Sequence, residues 1–218
     1  MAKAPKTPKV YTFKPIRRLT QWTLWLAGIE AGGLMAMCLG IVGLMMVGRE
    51  NHILAGLLAL VMLAGMALGF GVGLISGVVS LVWIYNATRN AHALRPGALS
   101  TSPAWAVGWF FVPIAGLFKP VQNVGDVWVA SHGPVNGVYR KAPVTLLMWW
   151  LPFVIGNVVL RLADKVGEGG DMITATPSNL MFVIGFGLIA FSTMAFWQLV
   201  REIGRNQPAT HMAAAEVF

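Results

Sequence analysis

Four segments, at about 21–48, 53–85, 143–163 and 179–200, stay apolar over lengths close to or beyond the roughly 20 residues an α-helix needs to cross a bilayer core. A soluble core does not need runs of that length. Over 218 residues, 56% are hydrophobic and only 11% charged, and the mean hydropathy is +0.68. An ordinary soluble domain of this size does not look like this. The expectation is one all-α integral membrane domain, residues 19–207, preceded by a basic arm (1–18) and followed by a short tail (208–218). A net charge of +8 would suggest nucleic acid in a soluble protein. Here the Lys and Arg residues gather at the ends of the apolar runs, so the positive-inside rule accounts for them and no nucleic-acid partner is expected.

A fifth apolar stretch, Pro103 to Trp128, cannot be laid down as a fifth span. Prolines at 103, 113 and 120 interrupt it, and its apolar part, Ala104 to Phe118, is only 15 residues long. Proline removes a backbone donor and disfavours helix at the residue before it. Unpaired backbone in lipid costs several kcal/mol per group, so the stretch cannot lie loosely there either. What remains is a short helix, a bend at Pro113 and a second short helix: a re-entrant or interfacial element. Trp105 and Trp109 share a helical face, Phe110, Phe111 and Phe118 add apolar surface, and Trp128 closes the segment. These six aromatics are the candidate contacts for lipid or a partner subunit.

The same stretch carries a resemblance. Trp83, Tyr85 and Asn90 precede P-x-W-A-V-G-W-F-F-V-P-I-x-x-L-F-K-P at 103–120, and Trp128 follows. Together they resemble a bacterial multi-pass membrane family known as a domain of unknown function, number forty-three twenty-eight. Weaker echoes lie in Trp149-Trp150 and in Val200-x-x-Ile203-x-x-x-Gln207. That family commonly has Asn at the position of Gly116 and an aromatic at that of Val121, so a polar role at 116 does not carry over. The resemblance implies an architecture and no activity.

Residues 1–18 hold six Lys/Arg, three prolines and no acid. Such an arm is extended and suits an anionic leaflet or an acidic partner surface. It does not read as a signal peptide, because the apolar run after it is far too long. The first span carries Gly28, Gly32, Ala36, Gly40 and Gly48 at four-residue spacing, and the second carries Gly65, Gly69, Gly73 and Gly77. Small residues at that spacing form one face on which membrane helices approach closely. A hairpin turning near residue 50 would pair 28 with 73, 32 with 69 and 36 with 65. The second helix should leave the bilayer near Trp83 and Tyr85, continue in water past Asn86 and His92, and stop at Arg95-Pro96-Gly97. The third helix contains Trp149, Trp150 and a kinking Pro152. The fourth ends near Val200, after a polar loop at 163–178.

With four spans and the amino terminus inside, 13 of the 16 Lys/Arg residues fall on the cytoplasmic side. Both termini and the broken element would then be cytoplasmic. Glu30 is the one acid within a span. On a helical wheel it lies about 200° from Gly28. It should therefore look away from the glycine seam, with Lys119 or Arg89 as counter-charge. A structural pair or a proton or substrate role are both open for it.

No catalytic kit is legible. His52, His92, His132 and His211 sit at helix ends, in loops or in the tail, and Cys38 is single and cannot form an intramolecular disulfide. H-E-x-x-H, Walker A and Cys-cluster patterns are missing, so no metal, cofactor or catalytic residue is expected. Asp126 with His132 is the only acid–base pair worth naming, in a polar loop where such groups are usually solvated. The expected function is a non-enzymatic accessory or scaffold subunit of a larger bacterial inner-membrane complex, for example respiratory or photosynthetic. It would bind membrane lipids and other integral membrane subunits. The competing expectation is a small transporter or lipid-handling protein with Pro103–Trp128 as its gate. An intramembrane enzyme is a third and weaker class.

Overall fold

Close helix packing in a chain this apolar has to come from shape, and the positions of the glycines decide which faces can meet. The structure, a computed structural model, describes residues 10–47, 51–135, 137–167 and 176–215. The turn at Gly48–Arg49, residues 1–9 of the arm and the loop acids Glu168 and Asp171 lie outside that set. Four helices are long and apolar enough to cross a membrane: α1 (Arg17–Met46), the continuous run His52–Leu94, α6 (Thr145–Gly167) and α7 (Thr176–Ala215). The second run is α2 (His52–Met66), one wide π-helical turn (Ala67–Val72) and α3 (Gly73–Leu94). Shorter elements are α4 (Pro103–Gly108), α5 (Lys119–His132) and a hairpin of β1 (Pro134–Val135) and β2 (Val138–Tyr139). The hairpin pairs Val135 with Val138, and Gly137 has φ of 78°, left-handed backbone that glycine adopts without strain.

The chain forms two compact units. The bundle unit is Arg18–Trp83 with Pro143–Glu202; the second unit is Met1–Arg17, Ile84–Ala142 and Ile203–Phe218. In the bundle unit Leu34, Met37 and Cys38 of α1 pack with Phe186 and Ala190 of α7. Hydroxyls and indoles tie the helices together: Trp83 Nε1 donates to Thr20 Oγ1 at 3.0 Å, and Ser192 Oγ to the Trp149 carbonyl at 2.5 Å. Apolar side chains of all four long helices also point outward, Leu57, Leu60, Leu74 and Val78 among them.

The α1–α2 seam uses Gly40, Gly65 and Gly69 of the stripes that the spacing suggested, but Gly33 in place of Gly28 and Gly32. A Cβ at Gly33 would lie 2.5 Å from the Gly69 amide nitrogen, one at Gly40 2.7 Å from Met62 Cβ, and one at Gly65 against the backbone of Met37 and Gly33. Gly28, Gly32 and Gly77 face open space. Facing positions sum to about 102, one residue from the simple hairpin count. A one-residue change rotates a helix face by about 100°, which exchanges Gly32 for Gly33. It also brings Glu30, three residues before Gly33, onto the seam instead of away from it. A second close approach, at Gly156 of α6 against the Gly185 carbonyl (2.9 Å from a Cβ), had no four-residue stripe to announce it. Other boundaries shift too: α6 runs on to Gly167, and α7 continues past Val200 and Pro208 to Ala215.

Gly33→Leu and Gly65→Leu should each destabilise the protein by roughly 3 kcal/mol, because backbone, not flexible side chain, blocks the new atoms. Gly28→Leu and Gly32→Leu should be nearly neutral. Thermal unfolding in detergent checks this; equal losses at 32 and 33 would sink the seam.

Candidate functional site

The broken element begins where Ser102 Oγ accepts from the Trp105 amide at 3.4 Å, with Pro103 in the first turn of α4. A 3₁₀ turn, Trp109–Phe111, follows. Val112 is then extended (φ −99°, ψ 111°), the conformation a following proline imposes. A second 3₁₀ turn, Ala115–Leu117, leads into α5. Gly116 fits because its Cβ would stand 3.0 Å from the Trp109 carbonyl. The tip is bare: Phe111 is 72% exposed, Ile114 78%, Phe118 57% and Trp105 53%. The Trp105 ring lies 4.6 Å from that of Trp109, and Trp109 and Phe110 are half-covered.

Trp128 departs from the expected surface. It is 7% exposed, its ring stacked on His132 at 3.7 Å. The reason is the face of α5 it shares with buried Pro120, Val124, Val127 and Ser131, spaced three and four apart. Ile114 was missed as a surface residue; its place between two 3₁₀ turns has no helical periodicity to read.

The interior of the second unit sets buried amides and hydroxyls among apolar side chains such as Val124, Val127 and Ile203. Asn90, 1% exposed, accepts from the Lys14 amide at 3.0 Å and donates to the Lys14 carbonyl at 2.8 Å, so one side-chain amide grips both main-chain groups of the arm. It also donates to Gln207 Oε1 at 3.2 Å, and Gln207 Nε2 donates to the Ala87 carbonyl at 3.0 Å. Tyr11 stacks on His92 at 4.9 Å and Phe13 on His211 at 4.3 Å. The described part of the arm therefore packs on its own chain, alternating inward aromatics with outward Thr12 and Lys14. Asn123 donates to Thr88 Oγ1 at 3.1 Å, while its carbonyl oxygen has no protein partner. In sequence, Asn90 and Gln207 were visible only as parts of the family pattern.

Glu30 meets a hydroxyl within its own unit. Its carboxyl group shares a hydrogen bond with buried Ser76 and would meet a Cβ at Gly73 at 3.6 Å. The expected counter-charges belong to the other unit: Lys119 is exposed and donates to Gln122 at 3.4 Å, and Arg89 is half-buried on α3. Asp126 and His132 are not a pair. The imidazole Nδ1 contacts the Trp128 carbonyl and Nε2 the Asn206 amide, both at 2.8 Å. Partial burial raises the Asp126 pKa above the usual carboxylate range, and the positive charges of Arg95 and Lys119 pull it back. Arg95 itself lies over the Tyr139 ring at 3.7 Å. Among the described residues, no three His, Cys, Asp or Glu side chains gather as a metal would require.

Asn90→Leu should strip the Lys14 amide and Gln207 of partners at a cost of about 2–3 kcal/mol. Amide exchange at Lys14 should then quicken at least about tenfold. Unchanged exchange would mean that the arm is held by its aromatics alone.

A search of curated proteins and one of solved structures returned no match. A family model does match, over residues 50–205, taking in the end of α1's connection, the broken element and most of α7. With well over half of its length covered by that match, the chain belongs to the domain-of-unknown-function family DUF4328.

Proposed function

We propose that this chain is a multi-pass protein of the bacterial inner membrane, with both termini cytoplasmic, acting as a non-enzymatic scaffold or accessory subunit for other membrane proteins. The observation that carries the reading is the bare surface of the longest apolar helix. In His52–Leu94 the most apolar stretch is only 11% buried within the chain, against 28–33% for the other three. Its outward Leu57, Leu60, Leu74 and Val78 suit lipid or a neighbouring transmembrane helix. The broken element is read as re-entrant or interfacial on the cytoplasmic side, in keeping with the placement of 13 of the 16 Lys/Arg residues.

Gentle solubilisation followed by native mass spectrometry tests this. A stoichiometric set of other membrane subunits is expected, and Leu60→Trp or Leu74→Trp on the bare face should release it without unfolding the chain. A monomer that stays alone under the gentlest extraction would remove the scaffold reading.

A transporter is the second reading, favoured by the Glu30–Ser76 pair inside span-length helices beside a π-helical turn, a feature frequent at functional sites. Under the scaffold reading Glu30→Gln keeps a hydrogen bond to Ser76, costs less than about 1 kcal/mol and alters no flux. If Glu30→Gln abolishes a proton-coupled flux in liposomes while the fold stays intact, the transporter reading replaces the first.

A further inference from the structure

We propose that the tip of the broken element is a membrane wedge, with Phe111, Ile114 and Phe118 sunk below the headgroups of an anionic leaflet and Lys119 paired with lipid phosphate. This rests on the reading that the long helices cross a bilayer, and it names the partner of a surface that could otherwise take lipid or protein.

Three observations favour lipid. First, from Pro103 to Phe118 no side chain except the indoles of Trp105 and Trp109 carries a polar atom. A protein-docking surface normally surrounds its apolar centre with polar groups that fix specificity. A wedge in lipid needs none, and paired indoles are what the interfacial zone favours.

Second, the backbone of the tip is largely closed on itself, as hydrocarbon demands. The amide of Val112 donates to the Trp109 carbonyl at 3.4 Å and that of Gly116 to Val112 at 2.6 Å. Leu117 donates to Ile114 at 3.2 Å and Phe118 to Ala115 at 3.1 Å. Pro113, at the bend, has no N–H to satisfy. Two tight 3₁₀ turns and a proline leave few donors, the Ile114 and Ala115 amides at the bend, for the headgroup region to satisfy.

Third, charge complementarity selects the leaflet. The first charged residue after the apolar tip is Lys119, exposed and directly beside exposed Phe118. A cation at the collar of an apolar wedge meets phosphate as the aromatics enter the acyl boundary.

The test places a bimane fluorophore on single cysteines at 111, 114 or 118 in a Cys38→Ser background. The protein is held in lipid-only nanodiscs carrying nitroxide lipids labelled near the headgroup or at the chain end. Leu74→Cys, exposed on α3 and about nine residues from the Trp83 end, is the mid-span control. Position 74 should be quenched by deep nitroxide, and 111 and 114 by shallow nitroxide. With phosphatidylglycerol present, Lys119→Gln should weaken the shallow quenching about twofold, and in pure phosphatidylcholine it should change nothing. Quenching at 74 with none at 111, 114 or 118 overturns the wedge and assigns the tip to a protein partner. Loss of quenching at 74 as well overturns the membrane reading itself. Equal shallow quenching in the two lipids, unaffected by Lys119→Gln, overturns the role given to anionic headgroups.

Discussion

The bundle depends on the absence of side chains at a few points. Where lipid is the solvent, apolar helices gain nothing from excluding water, and close surface fit with a few interhelical hydrogen bonds must hold them together. Gly33 against Gly69, Gly65 against the backbone of Met37, and Gly156 against Gly185 are such points. At each, backbone meets backbone, and dispersion and weak Cα–H···O contacts act at short range. The positions of Glu30, Ser76 and Cys38 follow from that fit. Cys38 Sγ, for example, reaches the Val183 carbonyl at 3.6 Å because the surrounding helices are already close.

The second unit adds a polar network to its apolar contacts. Asn90, Gln207, Asn123, Thr88 and Ser131 are all at most 1% exposed. Asn90 and Gln207 match each other and main-chain groups, and such matched amides fix geometry more sharply than apolar contacts do. The Asn123 carbonyl oxygen, by contrast, is left without a protein partner. Asn90 binds main chain rather than side chain at Lys14. The arm's path is therefore set by a contact that tolerates changes in the arm's sequence. Its cationic side chain at 14 stays outward, whatever it meets there.

Long-range composition carried most of the fold, and local periodicity carried less than it promised. The four long helices and the break at Pro113 were legible because length and proline chemistry allow few alternatives. The seam was misread because Gly28 and Gly32 have the same spacing as real contact glycines, and periodicity cannot tell one helix face from its neighbour about 100° away. Which of them packs depends on hairpin register, set by the few residues of the connection. Trp128 was misread for a related reason: an aromatic at the end of an apolar stretch looks interfacial until the face of α5 is known. The tip itself, Phe111 and Phe118, followed from proline placement alone, while the clamp of Asn90 on Lys14 joins residues 76 apart and left no local trace.

The π-helical turn at Ala67–Val72 changes what the helix after it can do. A π turn holds one more residue than an α turn over nearly the same rise, so the screw is advanced by a single step midway along a continuous rod. Ser76 and Trp83, which meet Glu30 and Thr20 of α1, both lie beyond that step. Their aim is set by the phase of one turn rather than by their own positions in the sequence. Relaxing that turn to α-helical winding would rotate both partners away from α1 together. The long helix thus works as a two-part shaft with a single indexing point.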